Sequence, residues 1–84
     1  MTQKEVNRIL LETRNTFGIQ EWFRDAVVYP PSDPHPITGE PTLEFKVNYL
    51  PILGPSRKAI IEFAQQFNLR ERFVVVDRQG RPAE

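Results

Sequence analysis

Cysteine is absent from this chain of 84 residues. Its absence excludes a disulfide framework, a thiolate metal site and a cysteine nucleophile. Histidine is almost absent too, since His35 stands alone and has no second imidazole of the same chain to join it at a metal. The sequence therefore predicts no metal and no other cofactor, and we expect no enzymatic activity.

An excess of charge of either sign is also lacking, because Lys and Arg total 11 and Asp and Glu total 11. A strongly basic chain would favour nucleic acid or an anionic membrane, and this balance removes that bias. Zero net charge also weakens the repulsion between copies of the chain. Self-association is therefore easier for this protein than for a highly charged one.

Long apolar runs are missing as well. Lys4, Glu5 and Arg8 interrupt the N-terminal stretch, so it does not resemble the apolar region of a signal peptide. No stretch approaches the ~18 apolar residues that a membrane-spanning helix needs. We therefore expect a cytoplasmic protein without a membrane partner.

Aromatic residues are what the chain has in quantity: six Phe, two Tyr and one Trp. Each such ring buries roughly 150–250 Å² in a core. A chain of this length forms one domain, so we predict a single small domain over residues 1–84 with an aromatic core. Residues 79–84 are expected to be a flexible tail.

The first part of the chain predicts a helix over residues 2–17. Its apolar positions recur at helical spacing: Val6, Ile9, Leu10, Thr13 and Phe17. Residues 19–24 fit a short helical or irregular turn followed by a strand at 25–29, or a continuous strand from about Glu21. The pattern alone leaves both open.

Residues 30–41 contain five of the eight prolines. Proline fixes φ and removes a backbone donor, so this segment cannot be a central strand or a helix. It predicts the long loop of a β-hairpin, with a tight turn at residues 38–40.

The stretch from Thr42 to Val76 organises the rest. Leu43, Phe45, Val47 and Tyr49 alternate with polar residues, which predicts a strand over 42–50 with one buried face, stopped by Pro51. Residues 54–56 then open an amphipathic helix that Ser56 could cap and Asn68 could end. Residues 73–77 predict a last strand.

The predicted class is therefore α+β, with the order α-β-β-α-β. The second strand, the second helix and the third strand form a crossover, whose outer strands should be parallel. Inserting the first strand between them predicts a split β-α-β sheet with strand order 2-1-3, an exposed second strand and two helices on one face.

The first and third strands are apolar on both sides, unlike the second. Two helices can cover only one face of the sheet, so the other face should carry an apolar patch. The Pro-rich loop, the tail or another chain would cover it. The residues predicted for this interaction surface are Val28, Tyr29, Lys46, Val74 and Val76.

Two other sites deserve a hypothesis. Ser56, Arg57 and Lys58 follow a helix start, where free N–H groups and cationic side chains could bind an anion. Asp33, His35 and Glu40 lie in the Pro-rich loop, but their spacing matches no metal-ligand pattern.

The leading functional hypothesis is a small non-enzymatic protein-binding or regulatory module. It would associate with a second copy or another protein through the open sheet face or an edge strand. The alternative is a nucleic-acid-binding module. Its surface would combine aromatic and basic residues: Trp22, Tyr29, Tyr49, Arg24, Lys46, Arg70 and Arg72. The element order is similar in outline to type II KH domains, although no Gly-x-x-Gly loop joins two helices here.

Overall fold

The computed structural model describes residues 1–50 and 54–82 and holds, in those ranges, two helices and a three-stranded mixed sheet. In chain order the elements are α1 (Gln3–Phe17), β1 (Phe23–Tyr29), β2 (Thr42–Val47), α2 (Pro55–Gln65) and β3 (Arg70–Val75). The α+β class and the element order predicted from the sequence are confirmed. The predicted stop at Pro51 lies outside the described residues.

Helix α1 begins after Thr2, whose hydroxyl accepts a hydrogen bond of 3.2 Å from the Glu5 backbone N–H. This bond satisfies one of the donors that a helix start leaves open. Ile9, Thr13 and Phe17 are buried, as their helical spacing predicts. The Thr13 hydroxyl donates to the Ile9 carbonyl at 2.7 Å, so this polar residue enters the core with its hydrogen bond made.

Helix α2 begins with Pro55, and Gly54 occupies the cap position at φ +101°. Glycine adopts that backbone conformation at little cost. Ser56 lies inside the helix and makes no capping bond, so the prediction that it caps α2 is wrong. After the helix, Asn68 adopts φ +58°, a left-handed conformation that fits the predicted terminator.

The strand order is β1-β2-β3, so the predicted order 2-1-3 is wrong and β2 is the central strand. β1 pairs with β2 antiparallel, and β3 pairs with β2 parallel. The β1–β2 hairpin and the β2–α2–β3 crossover therefore each connect two neighbouring strands of the sheet.

The alternating pattern of β2 misled the prediction because a polar face does not make a strand an edge. Glu44 is buried, yet its carboxylate lies 3.0 Å from His35 and 3.5 Å from Arg72. Partners on both sides can thus satisfy polar side chains on a central strand.

The strand limits also differ from the predicted ones. β1 begins at Phe23, and a register shift between Phe23 and Asp25 lets Phe23 and Ala26 both pack toward the core. β2 ends at Val47, before the predicted limit. β3 begins at Arg70, whose backbone N–H donates to the Pro41 carbonyl at 3.0 Å.

Both helices pack on one face of the sheet, as predicted. Leu43, Phe45 and Val47 of β2 are fully buried there. The Phe17 ring of α1 makes edge contacts with Phe45 at 5.5 Å and with Phe63 of α2 at 5.2 Å, measured between centroids. Aromatic contacts thus join both helices to the central strand.

Candidate functional site

The candidate site is the side of the sheet opposite the helices, called the open face below, together with the two sheet edges. Strand register puts three side chains of each strand on the open face. They are Asp25, Val27 and Tyr29 of β1, Thr42, Glu44 and Lys46 of β2, and Arg70, Arg72 and Val74 of β3.

The Pro-rich loop covers one end of the open face with His35, which is only 4% exposed. The His35 ring meets the Tyr29 ring edge-on, with 4.8 Å between centroids. Two backbone bonds close the loop around this residue: His35 N–H donates to the Glu40 carbonyl at 3.1 Å, and Gly39 N–H donates to the His35 carbonyl at 2.8 Å. Of the three predicted covers for this face, the loop is one that the structure shows.

The imidazole of His35 is held at both nitrogens. Nδ1 accepts from the backbone N–H groups of Ile37 at 3.1 Å and Thr38 at 3.4 Å. A neutral ring that accepts at Nδ1 carries its proton on Nε2. Nε2 therefore donates to the Glu44 carboxylate at 3.0 Å.

Arg72 reaches the same carboxylate from β3, with its Nε 3.5 Å from Glu44 Oε2. That Nε is buried and makes no hydrogen bond to any described residue. Burial raises the pKa of Tyr29, the Glu44 charge raises it further, and Arg72 opposes the rise. The centre of the open face is therefore polar, with Glu44 buried between His35 and Arg72. The continuous apolar patch predicted for this face is not formed there.

The structure places the predicted interaction residues on different sides. Tyr29, Lys46 and Val74 lie half-buried on the open face. Val28 is 8% exposed and packs in the core on the helix side, so assigning it to the open face is wrong, because neighbouring strand residues point to opposite faces. Val76 is 5% exposed and pairs with Pro82 of the tail.

The outer edge of β1 is guarded by a carboxylate. Asp25 accepts a 2.8 Å bond from the Ala26 backbone N–H, and Arg14 of α1 holds it at 3.0 Å. Burial alone would raise the pKa of Asp25, but the Ala26 bond, Arg14 and Lys46 outweigh it and lower the pKa below 3.8. A charge and a register shift on an edge strand both hinder pairing with another strand.

The outer edge of β3 has no such guard over its middle. Arg70 N–H donates to Pro41 and Val76 N–H donates to Val47, so even-numbered residues direct their backbone groups toward β2. Backbone direction alternates along a strand, so the N–H and C=O groups of residues 71 and 73 point outward. No described residue pairs with them.

The predicted anion site is not assembled as one unit. Arg57 lies over the Phe73 ring at 4.4 Å, while Lys58 is exposed. Ser56 lines a cleft of about 280 Å³ to which neither Arg57 nor Lys58 contributes. The cleft is lined by Gln20, Glu21, Trp22, Tyr49 and Ser56.

The residues of the nucleic-acid alternative are also dispersed. Trp22 is 8% exposed in the core, whereas Tyr49 is 46% exposed. Arg70 pairs with Glu40 at 2.9 Å. Arg24 donates to Asn48 at 3.4 Å and to the Arg78 carbonyl at 3.2 Å. The structure therefore forms no shared aromatic and basic groove from them, and the alternative stays a prediction from sequence.

Residues of the loop considered for a metal do not converge. His35 turns to Glu44, and Glu40 turns outward to Arg70. Among residues 1–50 and 54–82 no group of three or more His, Asp or Glu could hold a metal ion. Within the same ranges, no helix has both the length and the apolar character needed to cross a bilayer.

Sequence reasoning missed two contacts that define this surface: the one between His35 and Glu44, and the one between Arg14 and Asp25. A carboxylate in the middle of a strand, at Glu44, is the signal that could have suggested a buried partner. Comparisons with known protein families, with curated proteins and with solved structures found no match.

Proposed function

We propose that this protein is a small non-enzymatic binding module that self-associates through the outer edge of β3. Two copies would pair their β3 strands antiparallel and join two sheets into one. The observation that carries the proposal is the pair of outward backbone positions at residues 71 and 73, with which no described residue pairs. An unpaired row of this kind is a template for another strand.

The side chains along this edge favour a strand partner. Phe73, Val74 and Val75 flank the outward groups with β-branched or aromatic side chains, which suit a paired strand. Phe73 and Val75 pack against the core, while Val74 lies on the open face. A partner strand would therefore meet apolar neighbours on both faces of the sheet.

Charge selects the register of the pair. With Phe73 opposite Phe73 of the second copy, Arg72 lies opposite Val74 and Glu71 lies opposite Val75, so no like charges meet. A centre on Arg72 would set two Arg72 side chains against each other. A centre on Val74 would set Glu71 against Asp77. Like charges directly opposite each other destabilise a strand pair.

The strength of this association is expected to be modest. A pair of short strands buries less than a standard interface, and such contacts are weak and transient. We expect a dissociation constant of about 10 µM to 1 mM, which corresponds to roughly −7 to −4 kcal/mol.

The test compares Val74→Lys with Val27→Lys by sedimentation equilibrium. Val74 and Val27 are both half-buried on the open face, but one lies on β3 and the other on β1. Val74→Lys puts a cation opposite Arg72 of the second copy and should weaken the dimer at least about tenfold. Val27→Lys should leave the dissociation constant within about twofold, and it controls for the loss of an apolar side chain.

Val74→Glu is a third variant with the opposite expectation. It puts a carboxylate opposite Arg72 of the second copy and should tighten the dimer relative to the wild type. Circular dichroism establishes that each variant is folded. A wild-type protein that stays monomeric at about 1 mM would overturn the proposal, as would equal dissociation constants for Val74→Lys and Val27→Lys.

A further inference from the structure

The C-terminal segment forms a hairpin turn that returns toward β3. Asp77 carbonyl accepts from Gly80 N–H at 3.0 Å, and Asp77 N–H donates to the Arg81 carbonyl at 2.8 Å. The Asp77 carboxylate also accepts from the N–H groups of Gln79 at 2.9 Å and Arg81 at 3.0 Å. Gly80 has φ +78°, the conformation that a three-residue hairpin loop needs at this position.

This turn lays the tail beside the outer edge of β3. Val76 and Pro82 form an antiparallel bridge there. Asp77 and Arg81 face each other as a hydrogen-bonded pair, and backbone direction alternates along a strand. The nitrogen of Pro82 therefore points away from β3, and its missing N–H costs this pairing nothing. Residues 79–82, which the sequence predicts as part of a flexible tail, thus lie in a hydrogen-bonded turn and its bridge to Val76.

We infer that the hairpin of residues 77–82 is an intramolecular competitor for the β3 edge and so limits self-association. The inference rests on the proposed function. In the register centred on Phe73, Val76 lies opposite Arg70 of the second copy. Pro82 occupies that place in the single chain, so the tail must leave Val76 before the two strands pair over their full length.

The turn chemistry shows how to release the competitor. Gly80→Val places a β-branched residue at φ +78°, which such residues rarely adopt. Asp77→Ala removes the carboxylate that accepts from Gln79 and Arg81. Arg78→Ala is the matched control, because no hydrogen bond of the turn uses the Arg78 side chain.

The experiment measures the dimer dissociation constant of the full chain and of these variants by sedimentation equilibrium. Gly80→Val and Asp77→Ala should each tighten the dimer by about three- to tenfold, and Arg78→Ala should leave it within about twofold. Amide hydrogen exchange gives an independent readout, because Asp77 N–H should lose protection in the hairpin variants while Val76 N–H, bonded to Val47, keeps it.

The outcomes separate the two proposals. If all four proteins dimerise with the same constant, the competitor inference is wrong and the β3 edge proposal stands. If the wild type remains monomeric at about 1 mM while folded, the edge proposal is wrong and the inference falls with it. Tighter dimers in the two hairpin variants alone support both.

Discussion

β1 and β3 both lie at an edge of the same sheet, and the structure closes the two sides differently. On the β1 side, the Asp25 carboxylate accepts a hydrogen bond from the Ala26 N–H at the edge, and His35 packs on the open face beside Tyr29. On the β3 side, the tail reaches only Val76, and the outward groups farther along are unpaired among the described residues. The guards of β1 are anchored by residues of other segments, which shows that tertiary contacts decide whether an edge is closed.

The largest effect is expected from removing the cover of the β1 side. His35→Ala deletes a buried ring, and it leaves Glu44 without its donor and two loop N–H groups without their acceptor. Losses of this kind lower the free energy of unfolding by about 2–4 kcal/mol. Urea unfolding measures the change, and a difference from wild type below about 0.5 kcal/mol would contradict the role given to His35.

Two conservative variants divide that effect. His35→Asn keeps an acceptor near the Ile37 and Thr38 N–H groups but cannot reach Glu44. His35→Gln offers a donor to Glu44 but loses the loop acceptor. Each should be more stable than His35→Ala. If His35→Asn is the less stable of the two, the bond to Glu44 contributes more; if His35→Gln is the less stable, the loop bonds contribute more.

A smaller effect is expected from opening the β1 edge itself. Asp25→Ala removes the ion pair with Arg14 and the bond to Ala26, which together contribute about 1 kcal/mol at this half-exposed position. It should also create a second associating edge. In a Val74→Lys background, where the β3 edge is blocked, Asp25→Ala should therefore raise the dimer fraction in sedimentation.

Arg14→Ala is the control for that experiment, because it removes the ion pair and leaves the carboxylate on Ala26. Association of Arg14→Ala equal to that of Asp25→Ala would show that the ion pair, rather than the capped N–H, guards this edge. Lack of association in both variants would contradict the assignment of Asp25 as an edge guard.

The smallest effect concerns pH. The pKa of Asp25 is lower in the folded chain than its ordinary 3.8, so the unfolded chain binds this proton first as the pH falls. Its contribution to stability is complete well above 3.8 and is lost as the pH falls through the folded pKa. The stability advantage of wild type over Asp25→Asn should therefore shrink from about pH 6 to about pH 3, and urea unfolding measures it. An advantage that grew as the pH fell over this range would contradict the lowered pKa of Asp25.

Much of the fold follows from local pattern. Helical spacing at Ile9, Thr13 and Phe17 predicted the buried face of α1, and alternation at Leu43, Phe45 and Val47 predicted that of β2. These periods reflect backbone geometry, which each segment carries by itself. The strand order did not follow, because it depends on which strands pair, and a polar face on β2 was taken as the sign of an edge.

The candidate surface was less predictable than the fold. The sequence indicated that something beyond two helices must cover part of the open face, and the loop does so through His35. It did not indicate that Glu44 would be the partner of His35, or that Arg14 would reach Asp25 from α1. Those contacts join residues that only the packed chain brings together.

By itself, the sequence determined the class, the order of elements and the apolar faces, because local periodicity and proline placement act within each segment. Tertiary structure decided that β2 is central, that Val28 is core, and that β1 is guarded while much of β3 is not. The reason is physical: backbone groups and charges are satisfied by whatever folds against them, and those partners come from other parts of the chain.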